Sequence, residues 1–445
     1  MQNKSKITRE DPGFFDAFWM PFTANRFYKE HPIVVTGAEG CYLFTEDGRQ
    51  VFDGLSGLWC CGLGHGREAL VKAVSHGIQK LDYSPAFQVG HELAFELSNR
   101  LVQLTPDGLN RVFFTNSGSE SVDSALKMAR AYWRLKGQPT KSRFIGRAKG
   151  YHGVNFGGIS VGGIGPNRKL FGQGVEADHL PHTYLPENHF SKGMPEHGAY
   201  LADELEELIQ LHDASNIAAV IVEPFSGSAG VIIPPVGYLQ RLKALCEQHN
   251  ILLIFDEVIT GFGRTGHRFG ADAFSVTPDL MTLAKGLTNG SVPMGAVIAK
   301  DEIYQAVMAA GGPEHMVEFP HGYTYSSHPV ACAAGLAALD LFEQENICQR
   351  VQEIAPYFEN QIHQLKDLNH VEDIRNYGLA GALQISSRAG DPAVRPFEIF
   401  RRCWQAGVFV RCGGNTIQIA PPYICEKDQI DTIMDVLSDA IQATP

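Results

Sequence analysis

The chain has 445 residues, which at roughly 150 residues per domain allows two or three domains. Hydrophobic residues make up 44% and charged residues 19%, and this composition excludes a disordered chain. The net charge of −12 argues against general binding to nucleic acid, which requires a basic surface. Glycine is the one residue type in excess. It accounts for 46 of the 445 residues, about 10%, whereas an average chain has about 7%.

Cysteine usage and the terminal sequence predict a cytoplasmic protein. The nine cysteines form no CxxC pair, and the adjacent Cys60 and Cys61 are poor candidates for a disulfide, which favours reduced thiols. The polar N-terminus shows no secretory signal. The longest apolar runs, such as 217–222, are far shorter than the ~20 residues of a membrane helix, so no membrane segment is expected.

Residues 1–66 are predicted to form an arm and a small meander. Residues 1–30 are rich in aromatic side chains with little periodicity, which indicates an arm packed on another surface. Residues 33–53 alternate between apolar and polar, with turn signals at Thr36-Gly37 and Asp47-Gly48. We expect this antiparallel meander to be part of a small domain.

Residues 67–330 show the pattern of a large α/β domain. Apolar residues recur at helical spacing in 67–81 and 91–104. Short apolar runs then alternate with helical stretches, which is typical of a mostly parallel sheet between helices. Strands are predicted at 111–115, 142–147, 216–224, 251–257 and 294–299, and helices at 119–137 and 236–250.

Residues 331–445 change character and predict a smaller C-terminal α+β domain, possibly shared with the N-terminal meander. An Ala-rich helix at 328–346 leads away from the sheet. Strand-like segments follow at 378–387 and 416–422, and a helix-like segment lies at 396–407.

Two motifs mark a ligand site at the end of the predicted sheet. In 115–130 a strand ends, a Ser117-Gly118-Ser119 turn follows and a helix begins, an arrangement that suits a phosphate but is also an ordinary helix cap. Asp256 follows a buried strand, and α/β sheets bind ligands just past the carboxyl ends of their strands.

A third motif places Lys285 in an apolar segment followed by glycine-rich turns. A lysine among apolar neighbours has a lowered pKa and forms Schiff bases, although most lysines lie at the surface.

The GxGxxG match at 261–266 lacks a following helical pattern and is therefore weak evidence for a dinucleotide site. The histidines fit no zinc pattern, so no metal is expected.

These pieces, in this order, resemble the class III aminotransferases, a family of fold-type I enzymes that use pyridoxal 5′-phosphate. The resemblance extends over nearly the whole chain, and residues 409–421 and 55–65 are most similar to the branch that uses ω-amino acids and pyruvate. The motifs are NSGSE at 116–120, GYHG at 150–153, VEP at 222–224, DEVITGFGRTG at 256–266, AKG at 284–286 and GYTYSSHP at 322–329.

The resemblance implies a role for each matching residue. Lys285 resembles the catalytic lysine that holds the cofactor and moves the proton, and Asp256 resembles the acid that pairs with the pyridinium nitrogen. The residues expected to contact the cofactor are Ser117, Gly118 and Ser119 at the phosphate, Tyr151 and Val258 on the two ring faces, His152, Glu223, and Tyr323 with Thr324 from the neighbouring subunit. The shared site implies a homodimer or a dimer of dimers.

Substrate choice is expected to depend on Trp59 and Arg411, which resemble the donor-pocket aromatic and the mobile arginine that pairs with the keto-acid carboxylate. Many family members read EPxQGEGG, but the second Glu is absent from 223–230, which favours pyruvate over 2-oxoglutarate as acceptor. Ile259 also replaces the usual Gln near the phenolic oxygen. The resemblance thus implies ping-pong transfer of an amino group from β-alanine, a related ω-amino acid or a primary amine to pyruvate, giving L-alanine.

Two other functions remain open from the sequence. The first is a nicotinamide-dependent oxidoreductase that uses 261–266, and it predicts no visible chromophore. The second is a non-catalytic protein that binds the cofactor, which the joint presence of Lys285, Asp256 and Arg411 disfavours. An absorption band near ~420 nm from a lysine-linked cofactor separates the first alternative from an aminotransferase.

Overall fold

The computed structural model describes residues 9, 11, 13–391 and 393–445 of the chain. Its first sheet joins sequence from both ends of the chain. An N-terminal meander is antiparallel, and its third strand pairs in parallel with a two-residue strand near the C-terminus. The strands of this sheet are β1 (Val35–Glu39), β2 (Tyr42–Thr45), β3 (Gln50–Asp53) and β13 (Val408–Phe409).

The described part of the aromatic arm contacts the C-terminal part of the chain through Phe27. Residues 1–8, 10 and 12 of the predicted arm lie outside the described residues. Phe27, in helix α1 (Asn25–Glu30), packs edge-on against Phe397 at 5.3 Å between ring centroids. Trp19 and Phe22 are 88% and 77% exposed, so this part of the arm presents apolar surface to its surroundings.

A seven-stranded sheet forms the centre of the molecule. Adjacent strands are parallel except for β10, which is antiparallel to both of its neighbours. Every residue of β7 is buried, which explains its uninterrupted apolar sequence. In spatial order the strands are β4 (Leu109–Thr115), β10 (Gly295–Lys300), β9 (Leu280–Leu283), β8 (Leu252–Asp256), β7 (Ile217–Val222), β5 (Arg143–Arg147) and β6 (Ala177–Leu180).

Several helices of residues 56–344 pack on this sheet, with apolar faces of helical periodicity. One of them, α5 (Gly118–Leu135), buries nine residues, and its Trp133 indole donates to the Ala218 carbonyl at 2.7 Å. The helices of this part of the chain are α2 (Ser56–Trp59), α3 (Glu68–Lys80), α4 (Glu92–Leu104), α5, α6 (Phe156–Val161), α7 (Gly165–Phe171), α8 (Glu204–His212), α9 (Tyr238–Gln248), α10 (Gly270–Ala273), α11 (Asp301–Ala309) and α12 (Pro329–Gln344).

A third sheet lies in the C-terminal part of the chain, and it is antiparallel throughout. Its strands, in spatial order, are β11 (Val371–Tyr377), β12 (Ala380–Ile385), β15 (Thr416–Ile419) and β14 (Arg411–Gly413). Buried apolar residues of this sheet share one core with those of α13 (Ile347–His363), α14 (Val394–Gln405) and α15 (Lys427–Gln442).

The carboxyl ends of β4, β7 and β8 reach the same edge of the seven-stranded sheet, because β7 and β8 are parallel and β4 is separated from β9 by the single antiparallel strand β10. Ligands bind at this edge in α/β sheets. Within the described residues, no helix is long and apolar enough to cross a bilayer.

Candidate functional site

A cavity of about 140 Å³ lies at this edge of the sheet. It brings together side chains that are up to 167 positions apart in the sequence, from Gly118 to Lys285. Its lining includes most of the residues that the sequence analysis assigned to the cofactor: Gly118, Ser119, Tyr151, His152, Glu223, Asp256, Val258 and Lys285. Ile259 also lines the cavity.

One end of the cavity is the N-terminus of α5. The Ser117 hydroxyl caps this helix by accepting from the Glu120 amide at 3.2 Å, and Ser117 does not line the cavity. Gly118 and Ser119 line it instead, in the first turn of an 18-residue helix whose dipole favours an anion. A Cβ at Gly118 would lie 3.0 Å from Val258, so glycine allows Val258 to pack against the helix start.

Asp256 lies at the carboxyl end of β8 and is almost fully buried. One carboxylate oxygen is 2.8 Å from His152 Nδ1, and the other accepts from the Thr282 hydroxyl at 3.1 Å and the Val258 amide at 3.2 Å. His152 Nε2 is buried and has no partner among the described residues. These contacts hold one carboxylate in a defined orientation beside the cavity.

Glu223 is a second buried carboxylate, just past the end of β7. Its two oxygens accept from the backbone amides of Tyr151 at 3.0 Å and Gly227 at 3.1 Å. Burial raises the pKa of Glu223 to about 7. Because one of these bonds restrains the backbone of Tyr151, Glu223 positions the aromatic ring that lines the cavity.

Lys285 begins the turn after β9 with a positive φ of 49°. Burial lowers the pKa of its amine to about 8, and the nearby Cys60 and Asp256 oppose that effect. A lysine of this kind exchanges between charged and neutral forms near neutral pH, which suits proton transfer and imine formation.

The guanidinium of Arg411, on β14, has no hydrogen-bond partner among the described side chains and carbonyls. Burial lowers its pKa, and the Tyr151 side chain lies within electrostatic range. Gln418 is its cross-strand neighbour on β15. The Gln418 Oε1 atom is buried and unpartnered, while its amide nitrogen donates to the Ser228 carbonyl at 2.9 Å. Sequence analysis assigned no role to Gln418, although it lies within the 409–421 segment, because its pairing with Arg411 is a cross-strand contact.

A buried network holds the loop that carries Trp59. Asp53 accepts from the Gly57 amide at 2.6 Å and contacts His65 Nε2 at 2.7 Å. Arg264, fully buried, donates to the Ser56 hydroxyl at 3.1 Å, and its guanidinium lies 5.9 Å from the Trp59 ring. Arg264 belongs to the GxGxxG match, so that segment supports the Trp59 loop and does not open a dinucleotide-binding helix.

Tyr323 and Thr324 lie outside this cavity. The Tyr323 hydroxyl is 3.3 Å from the Ser124 hydroxyl on α5, and the Thr324 carbonyl accepts from the Tyr83 hydroxyl at 3.0 Å. Thr324 is exposed. Its expected phosphate contact is therefore not made within its own chain.

The donor set fits pyridoxal 5′-phosphate. The first turn of α5 and the Ser119 hydroxyl suit its phosphate, and the oriented Asp256 carboxylate suits its ring nitrogen. Lys285 supplies an amine for its carbonyl carbon. Within the described residues, no group of three or more His, Cys, Asp and Glu side chains is arranged to hold a metal ion.

Comparison with known proteins gives a consistent result. Residues 23–441 match the family model described as aminotransferase class-III. The chain is 58% identical over 428 residues to an omega-amino acid–pyruvate aminotransferase of Pseudomonas putida, covering 96% of this chain and 95% of that protein. It is also 58% identical to a beta-alanine–pyruvate aminotransferase of Pseudomonas aeruginosa, with 96% and 95% coverage.

Solved structures agree. An amine transaminase from an uncultivated Pseudomonas species, solved in its PLP-bound form, superposes with a TM-score of 0.89 at 35% identity, covering 96% of this chain and 99% of that one. An (S)-enantioselective omega-transaminase from Thermomicrobium roseum also gives 0.89, at 33% identity and 96% coverage of both chains.

Proposed function

Because the chain belongs to the aminotransferase class-III family, we propose that it transfers an amino group from an ω-amino acid, such as β-alanine, or a primary amine to pyruvate, giving L-alanine. The observation that carries this function is the cavity that Lys285 and the oriented Asp256 carboxylate line together at the start of α5. The names of the two Pseudomonas relatives support the choice of donor and acceptor.

The enzyme uses pyridoxal 5′-phosphate, which supplies an electrophilic carbon and an electron-withdrawing ring when bound. We assign the phosphate to the first turn of α5 and the Ser119 hydroxyl, and the two ring faces to Tyr151 and Val258. His152 orients the Asp256 carboxylate, which keeps a proton on the ring nitrogen. The Lys285 Nζ atom holds the cofactor and, once free, moves the substrate proton as a general base.

Arg411 is the proposed site for the acceptor carboxylate. Its unpaired guanidinium can bind a carboxylate through two parallel hydrogen bonds. The segment 225–228, Phe-Ser-Gly-Ser, offers no acid to neutralise it. We infer that Arg411 pairs with the carboxylate of pyruvate and swings away when the donor is an amine without a carboxylate. Donor and acceptor can then occupy the same site in turn, as a ping-pong cycle requires.

Replacing Arg411 with leucine is expected to lower kcat/KM for pyruvate by about 10- to 100-fold, the effect of losing a charged hydrogen bond. The half-reaction with an amine that lacks a carboxylate should keep its rate. Arg411→Lys retains the charge without the fork, so it should recover only part of the loss. Single-turnover kinetics of the two half-reactions measure both effects. An equal loss of rate with the amine and with pyruvate would contradict the assignment of Arg411 to acceptor binding.

The two substrates are tested with a panel of donors, in which pyruvate and 2-oxoglutarate compete as acceptors. We expect β-alanine and related ω-amino acids to react and L-alanine to be the main product, because the acid that favours 2-oxoglutarate is missing from 223–230. Glutamate as the main product would contradict the assignment of pyruvate as acceptor and would leave the cofactor assignment intact.

A homodimer completes the proposed site, and two such dimers can form a tetramer. Close to Thr324 in the fold, the rings of Tyr83 and Tyr325 lie 6.2 Å apart and the ring of Phe87 packs on Gly322, and all three rings are exposed. Exposed apolar patches mark protein interfaces. We therefore assign Tyr323 and Thr324 to the phosphate site of the neighbouring subunit.

All nine cysteines are free, in keeping with the cytoplasmic location predicted from the sequence.

A further inference from the structure

Gln418 and Arg411 lie opposite each other on neighbouring strands, and each has an unsatisfied hydrogen-bonding group. Arg411 is on β14 and Gln418 on β15, and the register of this antiparallel pair makes them direct cross-strand partners. Side chains in such a pair stand on the same face of the sheet, with Cβ atoms about 4.5–5.5 Å apart. The long side chain of Arg411 therefore has the amide of Gln418 within its reach.

The unsatisfied atom of Gln418 is an acceptor. The side chain is fully buried, and its Nε2 atom donates to the Ser228 carbonyl at 2.9 Å and to the Thr416 hydroxyl oxygen at 3.3 Å. The Thr416 hydroxyl donates its own proton to the Gly413 carbonyl at 2.8 Å, so it accepts from Gln418. These contacts fix which end of the amide is the nitrogen, and they leave the buried Oε1 atom without a partner.

A buried oxygen without a partner is unfavourable, because its hydration is lost and no hydrogen bond replaces it. Nearly all buried polar atoms have a partner, so this exception needs an explanation. The guanidinium of Arg411 carries five N–H donors and no acceptor, and it is itself unpaired among the described residues. The two groups are therefore complementary in chemistry as well as opposite in register.

In the structure the guanidinium of Arg411 is not bonded to Gln418 and lies near the cavity. It is within electrostatic range of Tyr151 and Lys285, which both line the cavity. In this position it can bind a substrate carboxylate. When a donor without a carboxylate fills the cavity, the guanidinium has to leave, and the segment 225–228 offers no acidic side chain to receive it.

We propose that Gln418 is a positioning residue that sets the balance between donor and acceptor: its free oxygen accepts from the Arg411 guanidinium when that group swings out of the cavity. This inference rests on the proposed function, because it supplies the second position of the arginine that binds pyruvate. A neutral amide holds a guanidinium less firmly than a carboxylate does. The carboxylate of incoming pyruvate therefore draws the guanidinium back into the cavity.

The two positions of Arg411 make a measurable prediction for substrate binding. Pyruvate binds when the guanidinium is in the cavity, and an amine without a carboxylate binds when it is on Gln418. Each observed Kd equals the intrinsic Kd divided by the fraction of enzyme in the competent position. The ratio of the Kd for pyruvate to the Kd for the amine therefore changes by the same factor as the equilibrium between the two positions.

The test replaces Gln418 with methionine, which removes the acceptor at similar volume, and with glutamate, which gives the acceptor a charge. Gln418→Met should lower the Kd ratio by about 2- to 13-fold, the effect of one neutral hydrogen bond. Gln418→Glu should raise it by about 5- to 13-fold, because a charged acceptor holds the guanidinium more firmly. Single-turnover spectra of the holoenzyme, saturated with pyruvate or with 1-phenylethylamine, give the two Kd values.

Two controls separate this role from general effects. Gln384→Met removes a glutamine on the neighbouring strand β12, whose oxygen accepts from Arg375 at 3.4 Å, and it should leave the Kd ratio unchanged. A glutamate at this position also repels pyruvate directly, so each Gln418 variant is combined with Arg411→Leu. In that background the guanidinium is absent, and the substitutions of Gln418 should no longer change the ratio.

An equal change of both Kd values in the Gln418 variants would overturn the inference, because a structural defect weakens the binding of both substrates alike. A change of the ratio that persists with Arg411→Leu would overturn it as well. If one Gln418 variant does not fold, the other decides the question, since each has its own expected direction. Absence of both half-reactions in the wild type would instead contradict the proposed function, and the inference would fall with it.

Discussion

Replacing Lys285 with alanine is expected to lower kcat by at least about 10³-fold, with the fold unchanged. Lys285 has two roles in the proposed reaction, since its amine holds the cofactor and later moves the substrate proton. No other lysine lines the cavity among the described residues. Steady-state turnover of β-alanine and pyruvate measures the loss, and the absorption spectrum should lose the band of the lysine-linked cofactor.

A matched control is Lys149→Met. Lys149 is also partly buried, and burial likewise lowers its pKa, but its ammonium lies over the Tyr184 ring at 5.0 Å, outside the cavity. This variant should retain the absorption band and most of its turnover. If Lys285→Ala turned over at a rate close to that of Lys149→Met, the proposed mechanism would be wrong.

Asp256→Asn is expected to lower kcat by about 30- to 5,000-fold. This range corresponds to the 2–5 kcal/mol lost when one partner of a buried charge pair is removed. A carboxylate stabilises the protonated ring nitrogen and so raises its pKa, whereas an amide does not. The variant should therefore need a lower pH to keep that nitrogen protonated, and the pH optimum should shift to the acid side.

The control for Asp256→Asn is Asp279→Asn. Asp279 is a buried carboxylate of similar exposure, but it lies away from the cavity, accepting from the Leu253 amide and the Lys300 ammonium at 2.7 Å each. Its loss should reduce the free energy of unfolding and leave the pH optimum unchanged. A shift of the optimum in both variants, or in neither, would show that Asp256 acts only through structure.

Much of the large sheet was predictable because its signals are local. The predicted strand at 216–224 corresponds to Ile217–Val222, two residues shorter at its end, and the predicted helix at 119–137 to Gly118–Leu135. Strands β9 (Leu280–Leu283) and β11 (Val371–Tyr377) and helices α13 and α15 were missed. The four residues of β9 are too few to establish a periodicity. They lie just before Lys285, and this segment was interpreted as a reactive-lysine motif instead of a strand.

The site was predictable to the extent that each motif has its own chemistry. The residue types at 117–119, 256 and 285 indicated a ligand site but left ordinary structural roles open, and only the family resemblance, carried by the order of the motifs, implied a phosphate, a ring nitrogen and an imine-forming amine. Sequence did not reveal how these groups are held. His152 and Thr282 both contact Asp256, and they come from segments that are 104 and 26 residues away from it.

The sequence by itself determined many of the elements and the order of the motifs, because each depends on neighbouring residues or on residue type. Only the tertiary structure decided which distant groups meet. It placed Arg264 beneath the Trp59 loop, Gln418 opposite Arg411, and Gly290 against the sulfurs of Cys60 and Cys61. Chain separation carries no information about these contacts, since they depend on how the sheets and loops pack against one another.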